Sequence, residues 1–162
     1  ASSAFPYRSC ELHRPTPVRS MPLHIHDSRG RYGRCMAFDP AAVGRAFSEH
    51  RFAEALDHLA SDVKWTIVGG MVLEGADAVR QTCRDILASL EGTYREFDRC
   101  VTAAGTDVVA VDTVVRYIRP DGVTAVASCA IYEFDGEKIK AITSYAVEVD
   151  PEDLGAQPPP RR

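Results

Sequence analysis

The sequence predicts an α+β domain in which helices come first and then cover an antiparallel meander. Three observations carry this. Apolar residues recur at helical spacing up to about residue 90. From Thr93 onward the period changes to two. Two strong turn signals, Pro120-Asp121-Gly122 and Asp135-Gly136, divide this second half into strands of similar length.

Each element has a local cause. Asp39 and Pro40 supply an N-cap and a first helical residue, and Val43, Ala46, Phe47 and His50 follow at helical spacing. A second short helix is expected over about 52–60, where Phe52, Leu56 and Leu59 fall together. His50 and His58 read as surface or boundary residues. Ser61-Asp62 opens a strand with Val63, Trp65 and Ile67 on one face, and Gly69-Gly70 breaks it. "MVLEG" is a short extended piece. A third helix is expected from about Ala76 to Leu90, with Val79, Cys83, Ile86, Leu87 and Leu90 as one apolar stripe. Strands are expected at about 93–104, 107–118, 123–134 and 138–149.

The ends differ from the middle. Residues 1–35 hold six Arg against Glu11 and Asp27, with four Pro, three of the five His and no apolar periodicity. This composition predicts a disordered segment or a non-native basic leader, with Met36 of "MAFDPAAVGRAF" as a natural start. The Pro-rich tail over 151–162 is expected to be flexible, which leaves 36–150 as the domain. The chain is 45% hydrophobic and 26% charged, enough for one ordinary core, and holds no run of 18 apolar residues to cross a membrane. Net charge is −4 even with the basic leader included, so the domain itself is acidic and nucleic acid is not an expected partner. Five Cys (10, 35, 83, 100, 129) form no CxxC pair, which predicts free thiols and a cytoplasmic location. His24 and His26 lie in the basic segment, and no metal site is expected there.

Three stretches, "SDVKWTIVGGMVLEGADAVRQ", "GTDVVAVDTVVRYIRPDG" and "YEFDGEKIKAITSYAVEVD", resemble the nuclear transport factor 2-like superfamily, specifically its SnoaL-like branch. The likeness covers about residues 39–150. It implies a cone-shaped α+β barrel with three N-terminal helices packed on a curved, mostly antiparallel sheet. It further implies a pocket on the concave face, a homodimer through the other sheet face, and no cofactor. Relatives include ketosteroid isomerases, limonene epoxide hydrolases, polyketide cyclases, dehydratases and binding modules, so fold does not settle function. Their catalytic patterns are not repeated. The isomerase base would fall at Thr66 or Ile67, its phenol near Val43 and its protonated carboxyl near Ala130. The epoxide hydrolase Arg-x-Asp pair is replaced by Asp112-Thr113-Val114-Val115-Arg116, and its last-strand Asp falls near Ser144. The cyclase His has no counterpart after His58.

The Pro120-Asp121 turn fixes a register. Arg119 pairs with Gly122, so Val109 faces Tyr132, Thr113 faces Ser128, Val115 faces Val126 and Tyr117 faces Thr124. That face suits a pocket wall, and Trp65 and Tyr94 are expected to join it. The substrate-binding candidates are therefore Trp65, Tyr94, Thr113, Tyr117, Ser128 and Tyr132. The same register puts Asp112 and Arg116 on the opposite face, about 13 Å apart at ~3.3 Å per residue. One reading makes them a dimer contact, Asp112 of one subunit against Arg116 of another. The other makes Asp112 a catalytic acid or base, which requires a β-bulge to turn it into the cavity. Glu96, Asp98 and Glu148 are reserve carboxylates. Two functions follow: an isomerase, epoxide hydrolase or cyclase acting on a small hydrophobic molecule by acid–base chemistry, or a dimeric module that binds an apolar ligand or partner without chemistry.

Overall fold

The computed structural model describes residues 38–152 and 154. The basic leader over 1–35 and most of the Pro-rich tail lie outside those residues. Helix α1 (Pro40–Ser48) starts as the sequence dictates. The Asp39 carboxylate accepts from the N–H groups of Ala41 at 2.9 Å and Ala42 at 3.2 Å, satisfying two donors that have no intrahelical partner.

The expected second helix is instead two 3₁₀ turns, Phe52–Glu54 and Leu56–His58. Ten residues separate the end of α1 from the strand that begins at Leu59, and the helix cap over 49–51 leaves seven of them, a span in which 3₁₀ turns are frequent connectors. They still bury Phe52 and Ala55. Two α-helices therefore cover the sheet rather than three.

Six strands follow: β1 (Leu59–Ile67), β2 (Val72–Glu74), β3 (Tyr94–Ala104), β4 (Val108–Arg119), β5 (Gly122–Asp135) and β6 (Lys138–Val149), with helix α2 (Ala76–Ser89) between β2 and β3. They form one mixed sheet in the order β2-β1-β6-β5-β4-β3, antiparallel except where β1 meets β6. Among the described residues no helix is long and apolar enough to cross a membrane.

The β4–β5 register is the one the turn predicts, including Thr113 opposite Ser128, Tyr117 opposite Thr124 and Arg119 opposite Gly122. Strand β3 slips by one residue against β4 between Phe97 and Arg99. Before the slip its odd residues share the face of Tyr117; after it, its even residues do.

The concave face packs against α1 and α2. Val43, Ala46 and Phe47 of α1 and Val79 and Cys83 of α2 are buried with Val63, Trp65, Val109, Val111, Tyr132, Phe134, Ile139 and Ile142 of the sheet. Phe47 stands at the centre, with ring centroids 5.0 Å from Phe52, 5.3 Å from Trp65 and 5.8 Å from Tyr132, all edge-on. Gly44 lets α1 come this close: a Cβ there would meet the Tyr132 ring at 3.0 Å and Val109 at 3.2 Å.

Candidate functional site

Polar groups on the concave face divide into two zones. Deep in the core they satisfy one another. The Thr113 and Ser128 hydroxyls lie 2.7 Å apart, the Ser48 and Tyr132 hydroxyls 2.7 Å apart, and the Trp65 indole N–H donates to the Ser144 hydroxyl at 2.8 Å. Thr113, Trp65 and Tyr132 are buried here, and burial pushes the Tyr132 phenol well above its ordinary pKa. These are core side chains whose hydrogen-bonding capacity is used within the protein.

Toward the β4–β5 hairpin the situation changes. Arg95 pairs with Tyr117, which pairs with Thr124, and the next rung along the face carries Phe97, Val115, Val126 and Glu148. His50, just past the end of α1, lies over this region with its ring stacked on Tyr117 at 6.3 Å and 25° and tilted against Phe52 at 5.5 Å. Two buried side-chain atoms here have no hydrogen-bond partner among the described residues: Nδ1 of His50 and Nη1 of Arg95.

The backbone of His50 is unusual in the same way. Its φ of 58° is the only positive value among the described non-glycine residues. It closes α1 with a Schellman motif: Arg51 N–H donates to Ala46 at 2.8 Å and His50 N–H to Phe47 at 3.1 Å. Glycine is the usual residue at that position, because a side chain is strained there. The sequence reading, which placed His50 as a surface or boundary residue, missed this.

Electrostatics set the protonation state. Burial, with a further push from the Arg95 guanidinium, lowers the His50 pKa to about 4, so the imidazole is neutral near pH 7. Burial raises the Tyr117 pKa, and the positive charges of Arg95 and Arg119 only partly oppose this. Beside this group, Glu49 accepts from Arg45 at 2.7 Å and Arg51 at 3.0 Å. Burial alone would raise the Glu49 pKa, but its hydrogen bonds with Arg45, Arg51 and the Cys100 thiol outweigh that and lower it.

Two of the expected residues are placed differently. Tyr94 pairs with Ile118, not with a concave-face residue, and is 67% exposed on the outer face. Its even number puts it outside because it precedes the slip in β3. Asp112 also faces outward, opposite Cys129, and is held by Arg99 with Nε to carboxylate oxygen at 2.7 Å. Strand β4 runs regularly against β5, so no bulge turns Asp112 inward; the bulge is in β3, opposite Val114 and Val115, whereas Asp112 pairs with Val101. Arg116 likewise takes a partner within the chain, donating to Asp98 at 2.8 Å. The expected pairing of Asp112 with Arg116 of another subunit therefore meets two side chains already engaged. Of the reserve carboxylates, Glu96 and Asp98 face outward, and Glu148 is exposed on the concave rung with Val126.

Two surface cavities lie elsewhere among the described residues, and of the expected wall only Ser128 lines either of them. A groove of about 980 Å³ runs between the start of α2 and the β5–β6 turn, lined by residues including Asp62, Glu74, Arg80, Lys138 and Lys140. A depression of about 280 Å³ lies by Asp112, Cys129, Tyr145 and Val147. Among the described residues no group of three His, Cys, Asp or Glu is arranged to hold a metal ion.

The family model of the SnoaL-like domain matches residues 41–142. The chain belongs to the SnoaL-like family. Solved structures agree on the fold. An NTF2-like protein of unknown function from Cytophaga hutchinsonii is 24% identical, with a TM-score of 0.58 over 65% of this chain and 94% of that one. A putative polyketide cyclase from Xanthomonas campestris is 19% identical, with a TM-score of 0.52 over 64% of this chain and 84% of that one. A hypothetical protein with a ketosteroid isomerase-like fold from Catenulispora acidiphila, in complex with trimethylamine, is 15% identical, with a TM-score of 0.51 over 65% and 85%. No curated protein matches the sequence. These likenesses show the fold of this SnoaL-like chain, and a shared fold does not decide what its own residues do.

Proposed function

We propose that this SnoaL-like chain is a small-molecule enzyme that moves a proton next to a carbonyl group, with His50 as the general base. The observation that carries this reading is the neutral imidazole with an unpartnered Nδ1, held in a strained backbone conformation beside Arg95 and Tyr117. Strain and unpaired buried polar atoms are both costs that native structures concentrate at functional positions.

The chemistry is proton abstraction. Nδ1 accepts a proton from the carbon beside the carbonyl, and the positive charge of Arg95 favours negative charge on the substrate. A base whose pKa is about 4 is as weak as a carboxylate, so the proton returns readily to the substrate. Return at a different carbon is isomerisation; attack of the carbanion on an internal carbonyl opens its C=O π bond to an alkoxide, which takes the proton back from His50, and is cyclisation. Tyr117 stacks against the imidazole and orients it, while Phe97, Val115 and Val126 form the apolar rung beside it. Enzyme-dependent deuterium uptake from D₂O by enolisable ketones and β-keto esters, followed by NMR, tests the reading. Uptake is expected to fall by about 100-fold or more in His50→Gly. Equal uptake by the variant refutes the assignment.

A second reading, a dimeric module that binds without chemistry, is favoured by the outer sheet face. Among the described residues, five of the ten large exposed apolar side chains, Tyr94, Val101, Val123, Tyr145 and Val147, lie there. Apolar surface gathered on one face marks an interface. Val147→Lys is expected to convert a dimer to a monomer in sedimentation experiments; an unchanged sedimentation coefficient counts against this interface.

A further inference from the structure

We infer that the ligand of the concave face carries a carboxylate and that Arg95 receives it, an inference that rests on the concave-face reading above and adds the substrate class. The argument starts from charge. Arg45, Arg51, Arg80, Arg99 and Arg116 each have a carboxylate within 4 Å, and all five pairs are partly exposed. Arg95 has none among the described residues, although it lies on the concave side and its Nη1 is buried. Arg95 is only half-buried, but a guanidinium nitrogen cut off from water is costly unless an anion or an acceptor meets it.

The neighbours supply no such charge. His50 is neutral, Tyr117 carries a phenol whose pKa is raised, and Thr124 across the next strand carries a hydroxyl. Glu49 is already taken by Arg45 and Arg51. Glu148 sits one rung away, outside ion-pair distance. The guanidinium fork matches a carboxylate in two-point geometry, which no neutral carbonyl does as well. Beyond Arg95 the face is apolar, with Phe97, Val115 and Val126. A carboxylic acid with an apolar body fits both halves of this surface.

The test is calorimetric titration of the full chain at pH 7 with straight-chain acids from butanoic to decanoic, each against its primary amide. At least one acid is expected to bind tenfold or more tightly than its amide. Arg95→Met and Arg95→Gln are expected to remove that preference, and Arg95→Lys to keep part of it; two neutral variants guard against one failing to fold. The inference is overturned if no acid exceeds its amide tenfold, or if the preference survives in the neutral variants. The two readings fail separately. Loss of deuterium uptake in His50→Gly with no acid preference overturns this inference alone. Acid preference with uptake independent of His50 overturns the proton-transfer reading alone.

Discussion

Replacing His50 with glycine and with alanine separates backbone strain from side-chain chemistry. At φ 58° an L-residue pays about 1–2 kcal/mol that glycine does not. Against that relief stands the loss of ring contacts to Phe52 at 5.5 Å and Tyr117 at 6.3 Å, about 1 kcal/mol together. The two contributions nearly cancel in His50→Gly, which is expected within about 1 kcal/mol of the parent. His50→Ala loses the rings and keeps the strain, so it is expected to fall below the glycine variant by about 1 kcal/mol, roughly 4 °C in melting temperature. Urea denaturation of all three proteins measures this. Both variants are expected to lose deuterium uptake despite their different stabilities. An alanine variant as stable as the glycine variant refutes the claim that the helix end is strained.

Titration of His50 gives a pH signature with a definite sign. Its pKa is about 4 folded and near 6.5 unfolded, so the unfolded chain binds more protons between those values. The stability it contributes is complete above pH 6.5 and is lost as pH falls through 4, on the order of 2–3 kcal/mol; the urea midpoint of His50→Gly should be less pH-dependent than the parent's over that window. Thr113→Val leaves the Ser128 hydroxyl without its 2.7 Å partner and is expected to cost about 1–2 kcal/mol by denaturation. Adding Ser128→Ala should recover part of that cost, and strict additivity of the two changes would show the pair uncoupled. Gly44→Ala places a methyl 3.0 Å from the Tyr132 ring, and the strain of about 1–3 kcal/mol should exceed the helix-propensity gain of about 1 kcal/mol. Asp112→Asn breaks an exposed pair with Arg99 and should change stability by less than about 1 kcal/mol and deuterium uptake not at all; a large loss of uptake would return Asp112 to the catalytic list.

The turn residues made the hairpin legible to the residue. Pro120-Asp121-Gly122 fixes Arg119 opposite Gly122, and every pair counted back from there is present, including Thr113 with Ser128 and Tyr117 with Thr124. From that count alone Asp112 and Arg116 fall outside. Their partners did not follow, because the Gly105-Thr106-Asp107 turn that joins their strand to β4 is a weaker signal than Pro120-Asp121-Gly122 and the slip beside Asp98 breaks any count made from it. The slip beside Asp98 reverses which residues of "YREFDRCVTAA" face inward, and nothing in the residue types announces it. Tyr94 was misplaced for this reason, and Arg95 was overlooked for the same one. His50 left a fainter trace: it stands in "SEHRF" where a helix ends without glycine, which signals a strained cap only once the end is known.

The charges then sort by face. On the outer face Arg99 meets Asp112 and Arg116 meets Asp98, in exposed pairs that water and salt screen. On the concave face the deep hydroxyls and the indole are matched in pairs, and among the described residues the buried side-chain atoms without a partner are those of His50 and Arg95. A cationic group and a neutral base, both half-buried and each with one buried nitrogen short of a partner, interact with a ligand more strongly than exposed charges do. The mid-strand carboxylate that draws attention in the sequence is therefore the side chain with its partner supplied, whereas the histidine at the helix end is the one that still needs one. If the concave face acts on a substrate, removing Asp112 should leave that action intact and removing His50 should end it.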